Sequence, residues 1–397
     1  MKPLAGSLLL LLSATTALAD STQDLLMRQS SGTAMNPAAA PSHMLMTQRG
    51  DWMLMLHGLA FVTQVEQSGP RGADKLFSTN WLMGMASRPA AGGQLMFRGM
   101  LSLEPVTVGD KYPELFQTGE TIDGHPIVDA QHPHDFFMEL AVEYARPLTA
   151  TTIGYVYAAP FGDPALGPVA YPHRASASEL PQATLGHHLQ DSTHIAGSVL
   201  TLGAQSGRFG YAVSGFHGQE PDENRWDIDT GAIDSWSARV TFDPTPNWSA
   251  QISTGHLTNP EPHEAGDVQR TTASVSYSSG RWNTSVIFGR SRVSSLLAES
   301  VMQFGNGNYV TGRAEIVDKD ELFEHAHESH RIRALTLGYT RDVLQTRMLT
   351  AGVGANATVY AIPSELRDEY GKPHAFSFFV RLRGGEARAH SGHMHEH

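Results

Sequence analysis

The sequence predicts an all-β protein, an antiparallel transmembrane β-barrel of about 16 strands with short periplasmic turns and long extracellular loops. Three observations predict it. Segments of roughly ten residues alternate apolar and polar side chains with period two, and turn residues separate them. The connections alternate between short and long, as a barrel in lipid requires, because its backbone polar groups must close on themselves. Beyond the N-terminus no run approaches ~18 consecutive apolar residues, so no helix of the mature chain would span a bilayer.

The elements follow in order. Residues 1–19 read as a signal peptide: Lys2 supplies the positive charge, Leu8 to Leu12 the apolar run and Ala17-Leu18-Ala19 the cleavage site. Export with cleavage of this peptide, to the bacterial outer membrane, is the expected route. Residues 20–50 read as an irregular periplasmic segment, with linker-like Ser30-Ser31-Gly32 and a proline-bounded stretch from Pro37 to Pro41. Residues 51–383 are the predicted barrel, and 384–397 a His/Met-rich tail.

Within the barrel the alternation is clearest from Gln94 to Glu104. There Leu95, Phe97, Gly99, Leu101 and Leu103 oppose Gln94, Met96, Arg98, Met100, Ser102 and Glu104. From Phe136 to Tyr144 the pattern sets Phe136, Met138, Leu140, Val142 and Tyr144 against Glu139, Ala141 and Glu143. Sixteen such segments can be marked: 51–64, 76–88, 93–105, 136–147, 150–159, 194–204, 207–218, 234–243, 246–257, 268–278, 281–291, 295–305, 308–318, 330–341, 346–361 and 373–383. Connections after even segments are short, such as Ser206-Gly207 and Ser279-Gly280; most after odd ones are long.

In this patterning the chain resembles porin-like outer-membrane β-barrel proteins along nearly its whole mature length. The resemblance implies contact with outer-membrane lipid, a polar lumen and passage of small solutes, and it allows a homo-oligomer. One departure is that a polar tail follows Arg383 where such barrels usually finish on an aromatic residue. Only about thirty residues precede the first strand, too few for a folded plug domain. The lumen is expected to be narrowed by the loops 105–135 and 160–193, with Arg98, Glu104, Glu139, Glu143, Glu299, Arg313, Glu315, Arg381 and Arg383 facing it.

Methionine and histidine suggest a ligand. Ten of 15 methionines fall between Met27 and Met100. Alternation puts Met53, Met55 and His57 on one face, opposite Trp52, Leu54 and Leu56, and puts Met96 and Met100 on the lumenal face with Arg98. Thioethers favour Cu(I) and Ag(I), and imidazole extends this to Cu(II), so copper or silver is the candidate ion; no other cofactor is implied. The alternative is that methionine fills irregular apolar space. His132 and His134, separated by Pro133, project to one side of an extended stretch, with Asp135 or Asp129 as a third ligand or outer partner. His325, His327 and His330 repeat the His-x-His spacing in a late loop, and His390, His393, Met394, His395 and His397 cluster in the tail, which resembles the His/Met-rich stretches of copper-resistance proteins. Nothing in the sequence places His187, His188 and His194 of the second long loop relative to His132.

Composition excludes several classes. The chain has 397 residues, 28 basic against 40 acidic, and a net charge of −12, so no basic field recruits nucleic acid. With no cysteine there is no disulfide framework, thiolate metal site or cysteine nucleophile. A barrel hydrolase finds only the thin hint of His134-Asp135, neighbours that point to opposite faces of an extended segment, and no G-x-S-x-G motif. A structural or adhesive barrel without transport is the remaining alternative.

Overall fold

The computed structural model describes residues 22–261, 266–323 and 328–389. The signal peptide, His325, His327 and the tail from His390 onward lie outside the described residues.

Sixteen antiparallel strands form a closed barrel. They are β1 (Trp52–Gln67), β2 (Asp74–Ala90), β3 (Gly93–Leu101), β4 (Phe137–Pro147), β5 (Thr152–Gly162), β6 (Ala196–Ser206), β7 (Phe209–His217) and β8 (Ser235–Thr245). The circuit continues with β9 (Trp248–Leu257), β10 (Val268–Ser278), β11 (Trp282–Arg290), β12 (Ser294–Phe304), β13 (Asn308–Lys319), β14 (His330–Gln345), β15 (Leu349–Ala361) and β16 (His374–Gly384). Each pairs with the next, and β16 closes on β1 from Ala375↔Gln67 to Arg383↔Leu59. Every predicted segment is a strand.

The period-two pattern has its expected physical cause. Leu54, Leu56, Val62, Phe97, Leu140 and Leu202 are exposed on the outer wall, where lipid would cover them. Near the short turns, Trp248, Tyr277 and Trp282 contact one another, with ring centres 4.8 and 5.3 Å apart, as in the aromatic girdles of membrane barrels. Met138 departs from the pattern. Alternation put it on the outer face, yet it is fully buried, because a bulge between Met100↔Glu139 and Leu101↔Phe137 turns it inward.

The segment expected to be irregular is more ordered than that. Residues 22–28 are helical, Gln29–Ser31 pairs with Ala34–Met35, and Pro41–Arg49 pairs with the start of β1. Glu386–Ala389 adds to Pro41–Met44, so two short strands wedge open the turn-side end of the β1–β16 seam. Leu25 and Leu26 enter the lumen and pack with Met44, Met55, Met83, Met96 and Met100. Thus the segment before β1, although short, does fill the barrel.

Both loops expected to narrow the lumen fold into it. The first carries a short helix, Glu104–Thr107, and a hairpin of Tyr112–Ile122 with His125–Gln131. The second runs from Asp163 to Ile195 as short turns and the helix His187–Gln190, with Ala165, Ala170, Glu179 and Ala183 fully or almost fully buried. All nine predicted lumenal charges are buried, and they fix these inserts in place. Arg98 lies 3.4 Å from both Glu139 and Glu143 and donates to the carbonyl of Gly32 at 2.8 Å. Glu299 receives Arg174 of the second loop at 2.6 Å and Arg313 at 3.1 Å. Glu179 of the same loop receives Arg383 at 2.6 Å and also Arg381. A charged wall that could have selected solutes instead holds the loops.

Candidate metal site in the barrel lumen

Five imidazoles meet where the two loops touch. His132 and His134 end the first loop; His187, His188 and His194 belong to the second. Ring centres are 5.7 Å apart for His132 and His188, 5.1 Å for His134 and His194, 5.2 Å for His187 and His188, and 5.3 Å for His187 and His194. All five line one cavity of about 20 Å3, room for a single water or ion.

Local sequence orients the rings. The one-turn helix His187–Gln190 brings His187 against Asp191 at i,i+4, Nδ1 to Oδ1 2.7 Å. His194 Nδ1 faces the backbone carbonyl of the same Asp191 at 2.8 Å. His134 Nδ1 donates to Glu104 Oε2 at 3.0 Å. An oxygen opposite Nδ1 requires that nitrogen to carry the proton, which leaves the lone pair on Nε2; metal-binding histidines are commonly fixed this way. His194 Nε2 is buried without a hydrogen-bond partner, and His134 Nε2 has only the Tyr171 hydroxyl at 3.5 Å.

The other corner is mixed. His188, Glu220 and Glu261 place one ligand atom each within 4.8 Å of one another, and His188 Nδ1 is 3.5 Å from Glu261 and 3.7 Å from Glu220. Those distances exceed a hydrogen bond, and neither ring nitrogen of His188 has a hydrogen-bond partner. His132 Nε2 lies 3.1 Å from Glu120 Oε1 without the alignment of a hydrogen bond.

The electrostatics favour neutral rings. Burial, followed by neighbouring positive groups, holds His132 and His194 well below the ordinary histidine value. Burial also lowers His187 and His188. For His134 burial pulls the same way, but the charge and hydrogen bond of Glu104 outweigh it and raise the ring. Burial would raise Asp191; His187 and Arg174 more than reverse that and keep it ionised. Arg174 binds Asp191 at 2.9 Å and Glu299 at 2.6 Å, so the carboxylate that orients two imidazoles is itself tied to the barrel wall.

The other expected ligands have different partners. Asp135 pairs with Arg225 at 3.2 Å while lining the imidazole cavity, and Asp129 binds Arg71 at 2.7 Å outside it. With His134 on Glu104 and Asp135 on Arg225, the two point apart, as their adjacency predicted. His330 is buried beside Phe323, 3.8 Å from Glu365, away from the cluster. Met53, Met55, His57, Met96 and Met100 face inward as expected, but against the inserted N-terminal segment instead of open water. Sequence reasoning missed Asp191, Glu120 and Glu220 as partners. The His-His-x-x-Asp spacing of 187–191 was the signal available for the first; the other two are placed only by the fold.

No protein-family model matches this sequence, and no curated protein matches it. Among solved structures the fold is shared widely. An anion-selective porin from Comamonas acidovorans aligns with a TM-score of 0.54 at 12% identity, covering 84% of this chain and 99% of that one. Salmonella typhi OmpF, in a complex with daunomycin, gives 0.55 at 9% identity, covering 85% and 100%. OprB of Pseudomonas putida gives 0.54 at 9% identity, covering 85% and 94%. Closed circuit, strand number, apolar outer wall and structural likeness agree: this chain is a porin-like β-barrel with the fold of the outer-membrane porins.

Proposed function

We propose that this protein is an outer-membrane barrel that takes up transition-metal cations in its lumen, binding them at the five-imidazole cluster as they pass. The carrying observation is the approach of the rings of His132, His134, His187, His188 and His194 from two loops, three of them with Nδ1 held by an oxygen acceptor, around His188, Glu220 and Glu261, whose ligand atoms lie within 4.8 Å of one another. The porin fold supports a channel; the filled lumen argues for selective binding over bulk flow. Imidazole with carboxylate suits borderline divalent ions such as Cu(II) and Zn(II), and the inward methionines extend the range to copper and silver. Conduction needs sites that release as well as hold, which a distributed cluster provides better than one tight centre.

The test is titration of Cu(II) and Zn(II) into the detergent-solubilised full chain. His187→Ala with His194→Ala should weaken binding at least tenfold while the heat-modifiable gel mobility of the barrel is retained. Equal affinity in the double variant would overturn the proposal.

Proton release gives a second check. Metal ligands must be deprotonated, and at pH 6 five ordinary imidazoles of pKa ~6.5 would release roughly four protons on binding. Here four rings are lowered and only His134 is raised, so the imidazoles should release fewer protons than that, with Glu120 and Glu220, which burial raises, as the other source. Calorimetry in buffers of different ionisation enthalpy counts them. A release of roughly four or more that persists in Glu120→Gln with Glu220→Gln would contradict the neutral-ring assignment.

A further inference from the structure

We infer that a second site nearer the short turns, built from the pairs His57–Met83 and His173–Met100 around Trp81 and bordering a chamber that His57, Trp81 and His173 line, binds a soft monovalent cation, Cu(I) or Ag(I). This inference rests on the reading of the barrel as a metal-handling protein, and its test separates the two. Two of the five residues, His57 and Met100, come from the sequence pattern; the fold supplies the other three.

The geometry repeats itself on either side of one indole. His57 Nε2 lies 3.1 Å from Met83 Sδ, and His173 Nε2 lies 3.1 Å from Met100 Sδ. Trp81 sits between the imidazoles, its ring 5.0 Å from His57 and 4.2 Å from His173. Metal bonds of roughly 2.0 Å to nitrogen and 2.3 Å to sulfur subtend about a right angle across such a gap, so each pair already has the bite of a chelate. The indole face between them adds cation–π attraction. Trp81 Nε1 and His43 Nδ1, both in the lining, are buried with no hydrogen-bond partner, so the chamber is not saturated by its own polar groups.

Charge decides the valence. The bordering chamber, about 120 Å3, has no Asp or Glu among its described lining residues. Its three arginines are occupied elsewhere: Arg28 with Asp243, Arg174 with Asp191 and Glu299, Arg383 with Glu179. Neutral imidazole and thioether donors without an anion leave a second positive charge uncompensated, which disfavours a divalent ion. Thioether donors also prefer the soft ions. The imidazole–carboxylate cluster above has the opposite bias.

The two stations have a common neighbour. A small cavity of about 30 Å3 shares Leu59, Trp81 and Pro172 with the thioether chamber and His134 with the imidazole cavity. On the loop side, a cavity of about 270 Å3 that includes Asp110, Asp123 and Glu223 shares Pro133 and Arg225 with the imidazole cavity. Ligand hardness therefore falls from carboxylate to imidazole to thioether across these neighbouring cavities.

The experiment titrates Ag(I), Cu(I) under reducing conditions and Zn(II) into the full chain, following indole emission and binding heat. Met83→Leu with Met100→Leu, swaps that preserve core volume, should weaken Ag(I) and Cu(I) binding at the chamber at least tenfold and leave Zn(II) binding unchanged. Ag(I) should quench an emission component that Trp81→Phe removes. Undiminished Ag(I) quenching in the methionine double variant would overturn the inference. Loss of Zn(II) binding in the His187/His194 variant, with Ag(I) quenching kept, would support both stations; Zn(II) binding unaffected there would sink the imidazole site alone.

Discussion

Replacing Glu179 by alanine should open the barrel. Glu179 is fully buried on the second inserted loop and receives Arg383 at 2.6 Å together with Arg381, both on β16. Removing the carboxylate leaves Arg383 without its acidic partner and Arg381 with Asp342 alone. Breaking a buried pair in this way costs about 3–5 kcal/mol, which moves the equilibrium between seated and released loop by roughly two to nearly four orders of magnitude. Planar-bilayer recordings should show low conductance for the native protein and a clearly larger step for Glu179→Ala. Glu179→Gln, which keeps the shape and one acceptor, should fall between. Indistinguishable conductance in all three proteins would mean that the loop is retained by its other contacts and that the ion pairs are incidental.

The second large effect is expected at Asp191. Its side chain accepts from His187 Nδ1, Arg174 and the backbone N–H of Tyr171, and its carbonyl faces His194 Nδ1. In the proposed site it acts as a positioning residue, through the imidazoles and not on the ion. Outer partners of metal-binding histidines typically matter by 10–100-fold in affinity. Asp191→Asn should therefore weaken Zn(II) binding by about that factor without increasing the number of protons released, because the lost anion was raising His187 and His194. Unchanged affinity in a folded Asp191→Asn protein would show that the rings hold their orientation unaided.

The wall of this molecule was legible because its two faces obey opposite solvents. Leu54 and Leu56 point out, Met53 and Met55 point in, and a period of two follows wherever strands remain regular. It misleads at Met138, where a single bulge rotates the side chain. Residues 41–49 escaped notice because Met44, Leu45 and Met46 put apolar groups on both faces, so no alternation marks them as a strand. The site was legible only as parts. His132 and His134 stood out by spacing and His187-His188 by adjacency, but their meeting depends on Arg174–Glu299 and Arg383–Glu179, pairs that join residues far apart in the chain. Asp135 illustrates the same dependence: Arg225, arriving from the β7–β8 connection, pairs with it.

The seam between β1 and β16 also constrains the order in which the molecule can be made. These strands are nearly the full described chain apart, so their pairing is the most non-local contact in the ring and the last for which both halves exist. Once that seam is made, the segment before β1 and both long inserts can enter or leave only through the two ends of the cylinder. Closure therefore shields the contents from the side, and a chain stopped before β16 should leave every insert open to proteolysis.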